Sequence, residues 1–265
     1  MTGDWGFAAP RDVFPRAKAA AAKALELDPG LAEPHATLGA IKNKYDRDWT
    51  GAEQEFKRAI ELNPNCATAH QWYAYYLAWT GRHEEAARAV KRAQEADPLS
   101  LPIQMTPGHL FRFMRQHDKA AEQFQKVLDL DSTFAAAHLG LGYVHLETGR
   151  FQAAIEEFQK AEALSGSAVW HNPWLGNCYA RAGKKAEALR RVEELKELRR
   201  RRYIDAAAIG WIYTGLVDKD QAFVWFDRAL EEGSPNLVDL KVEPGWDPLR
   251  SDPRFAELLR RVGIP

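Results

Sequence analysis

The sequence predicts an all-α solenoid, built from antiparallel helix pairs stacked side by side. Three observations carry that expectation. Ala52, Ala86, Ala120, Ala154, Ala188 and Ala222 recur at one constant interval without a slip. Gly39, Ala74, Gly108, Gly142, Gly176 and Gly210 form a second series at the same interval, with a single extra position in its first step. Four positions after each alanine of the first series stands a larger apolar residue (Phe56, Val90, Phe124, Phe158, Val192, Phe226), and three further on Ala59, Ala93, Val127, Ala161, Leu195 or Ala229. Steps of four and three trace one helix face, so each period holds a helix whose apolar stripe needs a partner.

The elements follow in order. Residues 1–30 read as a leading half repeat: Ala17, Ala21 and Ala24 stand in second-helix register before Pro29, while the first-helix partner is replaced by Trp5-Gly6-Phe7 and Pro10. Such a start is expected of a segment cut out of something longer. Residues 31–234 hold six complete pairs. In each, a first helix carries the small Gly or Ala where a neighbour must approach closely, and a second helix carries the Ala, large apolar, Ala stripe. Gly81, Gly149 and Gly183 mark turns inside pairs, and Pro29, Pro64 and Pro98 close successive units because proline cannot continue a helix. The single extra residue lies in Tyr45-Asp46-Arg47-Asp48-Trp49 and is expected as an insertion in a turn. Residues 235–265 are expected to cap the stack. Pro235 to Val242 would form a short helix, and Asp252-Pro253 an N-cap and first-turn proline for a last helix ending at Val262.

A helix-turn-helix period of about 34 residues with these small and large positions resembles the tetratricopeptide repeat. The resemblance implies a right-handed superhelix with the first helices on its concave side, and a non-catalytic protein-protein interaction module that binds a peptide in that groove. Carried onto this chain, the family's groove positions fall on Gln71, Tyr75 and Trp79; Met105, His109, Arg112 and Phe113; Leu139, Tyr143 and Glu147; Trp170, Asn177 and Arg181; and Trp211. Among these, Gln71, Tyr75, Trp79, His109, Arg112, Phe113, Tyr143, Asn177, Arg181 and Trp211 form the candidate peptide surface. Rings supply contact area at low entropic cost, and Arg and Asn fix orientation. The carboxylate-clamp subtype is not supported, since its Lys and Asn positions hold Ala36 and Ala40, then Gln71 and Tyr75. Where the family often has Trp at the fourth position of the first helix, this chain has His35, His70, Gln104, His138, Asn172 and Ala206. The stretches from Asn65 to Ala74 and from Asp247 to Phe255 resemble the C-terminal repeat regions of bacterial multidomain regulators, which implies a larger regulator as parent.

Other functions lack their residues. Thirty-six Lys plus Arg balance 37 Asp plus Glu, giving a net charge of −1, and that balance argues against nucleic acid as partner. An RNA-binding reading would rest on the run Arg199 to Arg202, but that run reads better as closing a long helix, where cations complement the dipole and Glu194 and Glu197 precede them. His35, His70 and His138 occupy one repeat position and so spread along the stack, which points to packing and away from a metal. The acidic pairs Glu84-Glu85, Glu156-Glu157, Glu193-Glu194 and Glu231-Glu232 alternate with Lys or Arg and read as solvated faces. Cys66 and Cys178 stand three repeats apart and are not expected to pair. No phosphate-binding glycine motif occurs. The expectation is therefore no enzyme, no cofactor, no metal, no membrane span, a cytoplasmic location and a protein partner. Its rival is a scaffold that self-assembles through the stack ends or the convex face, since the unpaired leading helix would expose apolar surface.

Overall fold

A computed structural model of the chain describes residues 8–165 and 168–265, and the side chains of all of these but 168–172. The Trp5-Gly6-Phe7 segment and the side chains of Trp170 and Asn172 lie outside the described residues. The described chain is helical, without strands. In order it comprises α1 (Pro10–Leu27), α2 (Ala32–Ile41), α3 (Trp49–Leu62), α4 (Ala67–Trp79), α5 (His83–Ala96), α6 (Leu101–Gln104), α7 (Thr106–Phe113), α8 (His117–Leu130), α9 (Ala135–Glu147), α10 (Phe151–Ser165), α11 (Ala168–Arg181), α12 (Lys185–Arg201), α13 (Ala206–Gly215), α14 (Lys219–Glu231) and α15 (Pro253–Val262). Pairs α2/α3, α4/α5, α7/α8, α9/α10, α11/α12 and α13/α14 pack internally, and each stacks on its neighbour; α1 packs on α2. Together they form a helical solenoid.

Both periodic series meet inside each pair. A Cβ added at Gly39 would fall 2.8 Å from the Phe56 ring, at Gly108 2.7 Å from Phe124, at Gly142 2.5 Å from Phe158 and at Gly210 2.8 Å from Phe226. The first-helix glycine therefore makes room for a ring of the second helix, and the four phenylalanines are at most 1% exposed. Each such ring contributes about 1.5–3 kcal/mol of burial. The polar residue at the fourth first-helix position closes the turn between repeats. His70 Nε2 lies 2.9 Å from the Pro64 carbonyl, His138 Nε2 3.0 Å from that of Ser132, and Gln104 Nε2 donates to Pro98 at 3.0 Å. His35 and His138 also place Nδ1 2.6 Å from Glu55 and Glu157. These side chains serve the stack by satisfying carbonyls that would otherwise be orphaned.

Two departures from periodicity have physical causes. The extra residue is absorbed inside the first helix, contrary to its expected place in a turn: α2 continues as a π-helical turn over Lys42–Asp46. The turn itself keeps its register, because the left-handed positions Arg47, Gly81, Arg115, Gly149, Gly183 and Val217 recur at the unbroken interval of the alanine series. In the third pair the first helix is split into α6 and α7. Pro107 at the second position of α7 has no N–H to donate and crowds the carbonyl four residues earlier. Gln71 Nε2 and Thr106 Oγ1 donate to the Pro102 carbonyl at 2.8 and 3.1 Å and so stitch α4 to the broken helix.

After α14 the final helix, α15, opened by the Asp252 N-cap, lies on α14, while residues 235–249 take another course. This stretch forms 3₁₀ turns at Pro235–Leu237 and Pro244–Leu249 and runs back across the first helices, reaching α7 and α13, and its Leu237, Leu240, Val242, Trp246 and Leu249 are buried. Prolines 235, 244 and 248 forbid a continuous α-helix, and the apolar side chains find cover only in the groove. No described helix is long and apolar enough to cross a membrane.

Candidate functional site

The site is built on the inner helices α4, α7, α9, α11 and α13, which carry the candidate residues. Arg112, on α7, stands at its centre, 2% exposed. Its Nε donates to Glu147 Oε1 at 2.6 Å, one repeat further on, and its Nη2 donates to Glu243 of the returning segment. The guanidinium lies 4.5 Å from the centroid of Tyr143. Burial works against its charge, and the charges of Glu147 and Glu243 outweigh that, raising the Arg112 pKa above the ordinary arginine range. Glu243 moves the other way: burial pushes its pKa up, opposed by Arg112 and reinforced by Glu147. Asp239 is pushed up to about 7 by burial and by the nearby Glu243 charge.

Arg115 extends this grip. Its Nη1 donates to the Val242 carbonyl at 2.6 Å and its Nη2 to Asp247 Oδ1 at 2.8 Å. Trp246 provides the apolar anchor. It is 0% exposed, its ring centroid lies 4.3 Å from Trp211 and 4.4 Å from Phe226, and its Nε1 donates to Asp239 Oδ1 at 3.1 Å. Gly245 passes beneath the indoles: a Cβ there would sit 2.8 Å from Trp211 and 3.4 Å from Trp174. At the start of the segment, Ser234 Oγ and Asn236 Nδ2 donate to Asp205 Oδ2 at 2.5 and 2.8 Å.

Of the candidate residues, Arg112 and Trp211 meet the chain's own returning segment, while Gln71, Tyr75, Trp79 and Asn177 pack within the stack. Trp79, Arg112, Phe113, Asn177 and Trp211 are buried, where repeat register led to the expectation of an open groove. The covering segment 235–249 is the reason for Arg112 and Trp211. Asn177 is held by its own stack, donating from Nδ2 to the Trp211 carbonyl at 2.6 Å. Trp79 stacks on Tyr75 at 5.7 Å, under Lys44. Burial pushes the Tyr75 hydroxyl up to about 12, and burial with the Arg112 charge brings His109, edge-on to Phe124, down to about 3. Gln71 is engaged with α6 and α7. Among the candidates Arg181 is exposed, lying over Phe151 at 5.5 Å. Beside it a cleft of about 20 Å3 remains between Tyr143, Asn177, Gly245 and Pro248. Met105 and Leu139 belong to the packing between repeats.

Asp239, Glu243, Trp246 and Arg115 escaped repeat register because they lie outside the inner helices or in a turn. Their signal was the density of Leu237, Val238, Leu240 and Val242, too apolar for an exposed cap. What the arrangement does chemically is hold a segment. Cys66 and Cys178 are buried free thiols, with Cys178 pushed up to about 11 by burial. Among the described residues no three His, Cys, Asp or Glu side chains gather as a metal ion would require.

Comparison with known proteins agrees with this architecture. The family model described as tetratricopeptide repeat matches residues 44–100 and 108–168. No curated protein matches the sequence. Among solved structures, a tetratricopeptide repeat protein from Parabacteroides merdae is similar over 95% of this chain and 93% of its own, at 16% identity and a TM-score of 0.61. The human IFIT1 dimer with m7Gppp-AAAA is similar over 94% and 67%, at 18% identity and 0.64. Pseudomonas aeruginosa pilF is similar over 71% and 85%, at 21% identity and 0.53. At such identities the likeness concerns the fold. The matched repeats, the helix pairs and these likenesses together mean that the chain carries a tetratricopeptide repeat domain.

Proposed function

We propose that this chain is a non-catalytic protein-interaction module whose concave surface recognises an extended segment, and that residues 235–249 are its occupant in cis. One observation carries the reading: the inner helices already hold a segment through a buried Arg112–Glu243 pair and an aromatic seat for Trp246. A partner segment would offer the same two features, a carboxylate for Arg112 and a large ring for the seat beside Trp211, and would compete with the chain's own copy. The covalent link gives that copy a high effective concentration, so the closed form is the resting one. The division into a half repeat at 1–30, six pairs at 31–234 and a groove-filling C-terminal part at 235–265 fits this reading, as does membership of a larger regulator.

The test is binding in trans. A fluorescent peptide of residues 235–265 is titrated into full-length wild type and into a Glu243→Gln, Trp246→Ala double variant first shown by circular dichroism to keep its helix content. Anisotropy should rise with the variant and stay flat with the wild type. A helical variant that takes up no peptide would show that the groove is not a segment-binding surface.

A further inference from the structure

The two ends of the stack meet, and a second site is built where they do. The π-helical turn after α2 lays Tyr45 on Phe14, with ring centroids 4.8 Å apart, and against Gly233 at the end of α14. Between the start of α1, this turn and the ends of α12 and α14 lies a cavity of about 960 Å3. Its arginines are Arg11, Arg47 and the run Arg199 to Arg202, facing the carboxylates of Asp12, Glu231 and Glu232. Six cations against three anions leave an excess of positive charge here in a protein whose net charge is −1.

Several of these arginines are committed locally. Arg199 donates to the Ile204 carbonyl and to Glu232, and Arg200 and Arg201 pair with Glu197 on their own helix. Arg47 differs. It occupies the left-handed turn position that three other repeats fill with glycine, at φ 57°, a conformation costing a side chain about 1 kcal/mol. Arg115, in the equivalent place with φ 61°, uses its position to grip Val242 and Asp247. Arg47 has no such return: its Nη1 is buried without a hydrogen-bond partner, and burial together with the charge of Arg261 lowers its pKa. The Tyr203 hydroxyl on the facing wall is likewise buried without a partner. Orphaned buried donors, one of them cationic, are costly unless a ligand satisfies them.

We propose that this cavity binds a small molecule carrying two or more phosphoryl groups, with Arg47 and Arg11 as phosphate ligands and the Tyr203 hydroxyl as a further donor. A polyphosphate matches the excess charge with several oxygens at once, which suits the planar fork of guanidinium groups. The volume lies within the range of ordinary ligand sites. This inference is independent of the groove reading, since it uses other residues and another ligand.

Isothermal titration on the full chain tests it. Tripolyphosphate is the first probe, followed by ATP, AMP and adenosine, against wild type, Arg47→Gln, Arg11→Gln and, as a control, Arg260→Gln, an exposed arginine paired with Glu257 away from the cavity. Tripolyphosphate should bind the wild type at one site. Arg47→Gln should weaken it by about tenfold or more, the loss expected for one charge-assisted hydrogen bond, and Arg260→Gln should leave it unchanged. Affinity should rise from AMP to ATP. Tripolyphosphate failing to bind, equal weakening by Arg47→Gln and Arg260→Gln, or adenosine binding as tightly as ATP would each overturn the proposal.

Discussion

Replacing Trp246 by alanine measures how firmly the returning segment is held. The indole is wholly buried against Trp211, Phe226 and Phe255, with ring centroids 4.3, 4.4 and 6.0 Å away, and its N–H satisfies Asp239. Trp246→Ala removes that area, leaves a void in a packed region and strips a buried carboxylate of a donor. Substitutions of this kind cost about 3–5 kcal/mol. Net stabilities run from about 5 to 15 kcal/mol, so the loss is a large share of the whole. With a urea slope of about 3 kcal/mol/M, the midpoint should fall by about 1 to 1.7 M in a denaturation followed by circular dichroism. Trypsin should also cut faster after Lys241 and Arg250, which flank the indole on the released segment. A loss below about 1 kcal/mol, with unchanged cleavage there, would refute the seating of Trp246 as the anchor.

Arg112→Met deprives buried Glu147 and Glu243 of their shared cation and should cost about 3–5 kcal/mol at neutral pH; adding Glu147→Gln and Glu243→Gln should restore much of it, and a triple variant as unstable as the single one would contradict the pairing. Asp239 has a folded pKa of about 7 against an unfolded value near 3.9, so the native state holds the extra proton between them and stability attributable to this group falls as pH rises through that window. Asp239→Asn should therefore stabilise the chain more at pH 8 than at pH 5 in urea melts, and an equal effect at both would remove the assignment. Gly142→Ala places a methyl 2.5 Å from the Phe158 ring and should cost about 1–3 kcal/mol by calorimetry, largely recovered by Phe158→Leu in the same chain.

The repeated part of the fold is legible because its cause is local. A glycine at 142 and a phenylalanine at 158 answer each other within one pair, and the same pairing recurs wherever the period repeats. His70 and His138 share a position because each caps the turn six residues before it. The site is legible only in part. Repeat register identified Arg112, Tyr143, Glu147 and Trp211 as facing inward, yet it reports neighbours along the stack and is blind to what crosses it. Arg112 meets Glu243, 131 residues later, through a segment that has no period at all. Pro235 to Val242 read as a short helix within a cap of residues 235–265; three prolines and an alternation of buried leucine and valine make residues 235–249 a lining. The insertion before Arg47 was visible in the spacing, but its form was not, since a helix can absorb one residue as a π turn without shifting the turn that follows.

Linear repeat arrays unfold piecemeal, because each unit touches only the units beside it and the terminal ones fray. Threading the tail back between α7 and α13 changes that topology. The hydrogen bonds from Arg112 and Arg115 to the tail, together with Trp246 against Trp211, clasp the third and sixth pairs to one strap, so neither can open without the other. Such a clasp trades independent fraying for a single cooperative transition and adds contacts of long sequence separation, which form late. Fast growth of the helical stack should thus precede a slower closing step, in which the strap seats and the whole coil locks.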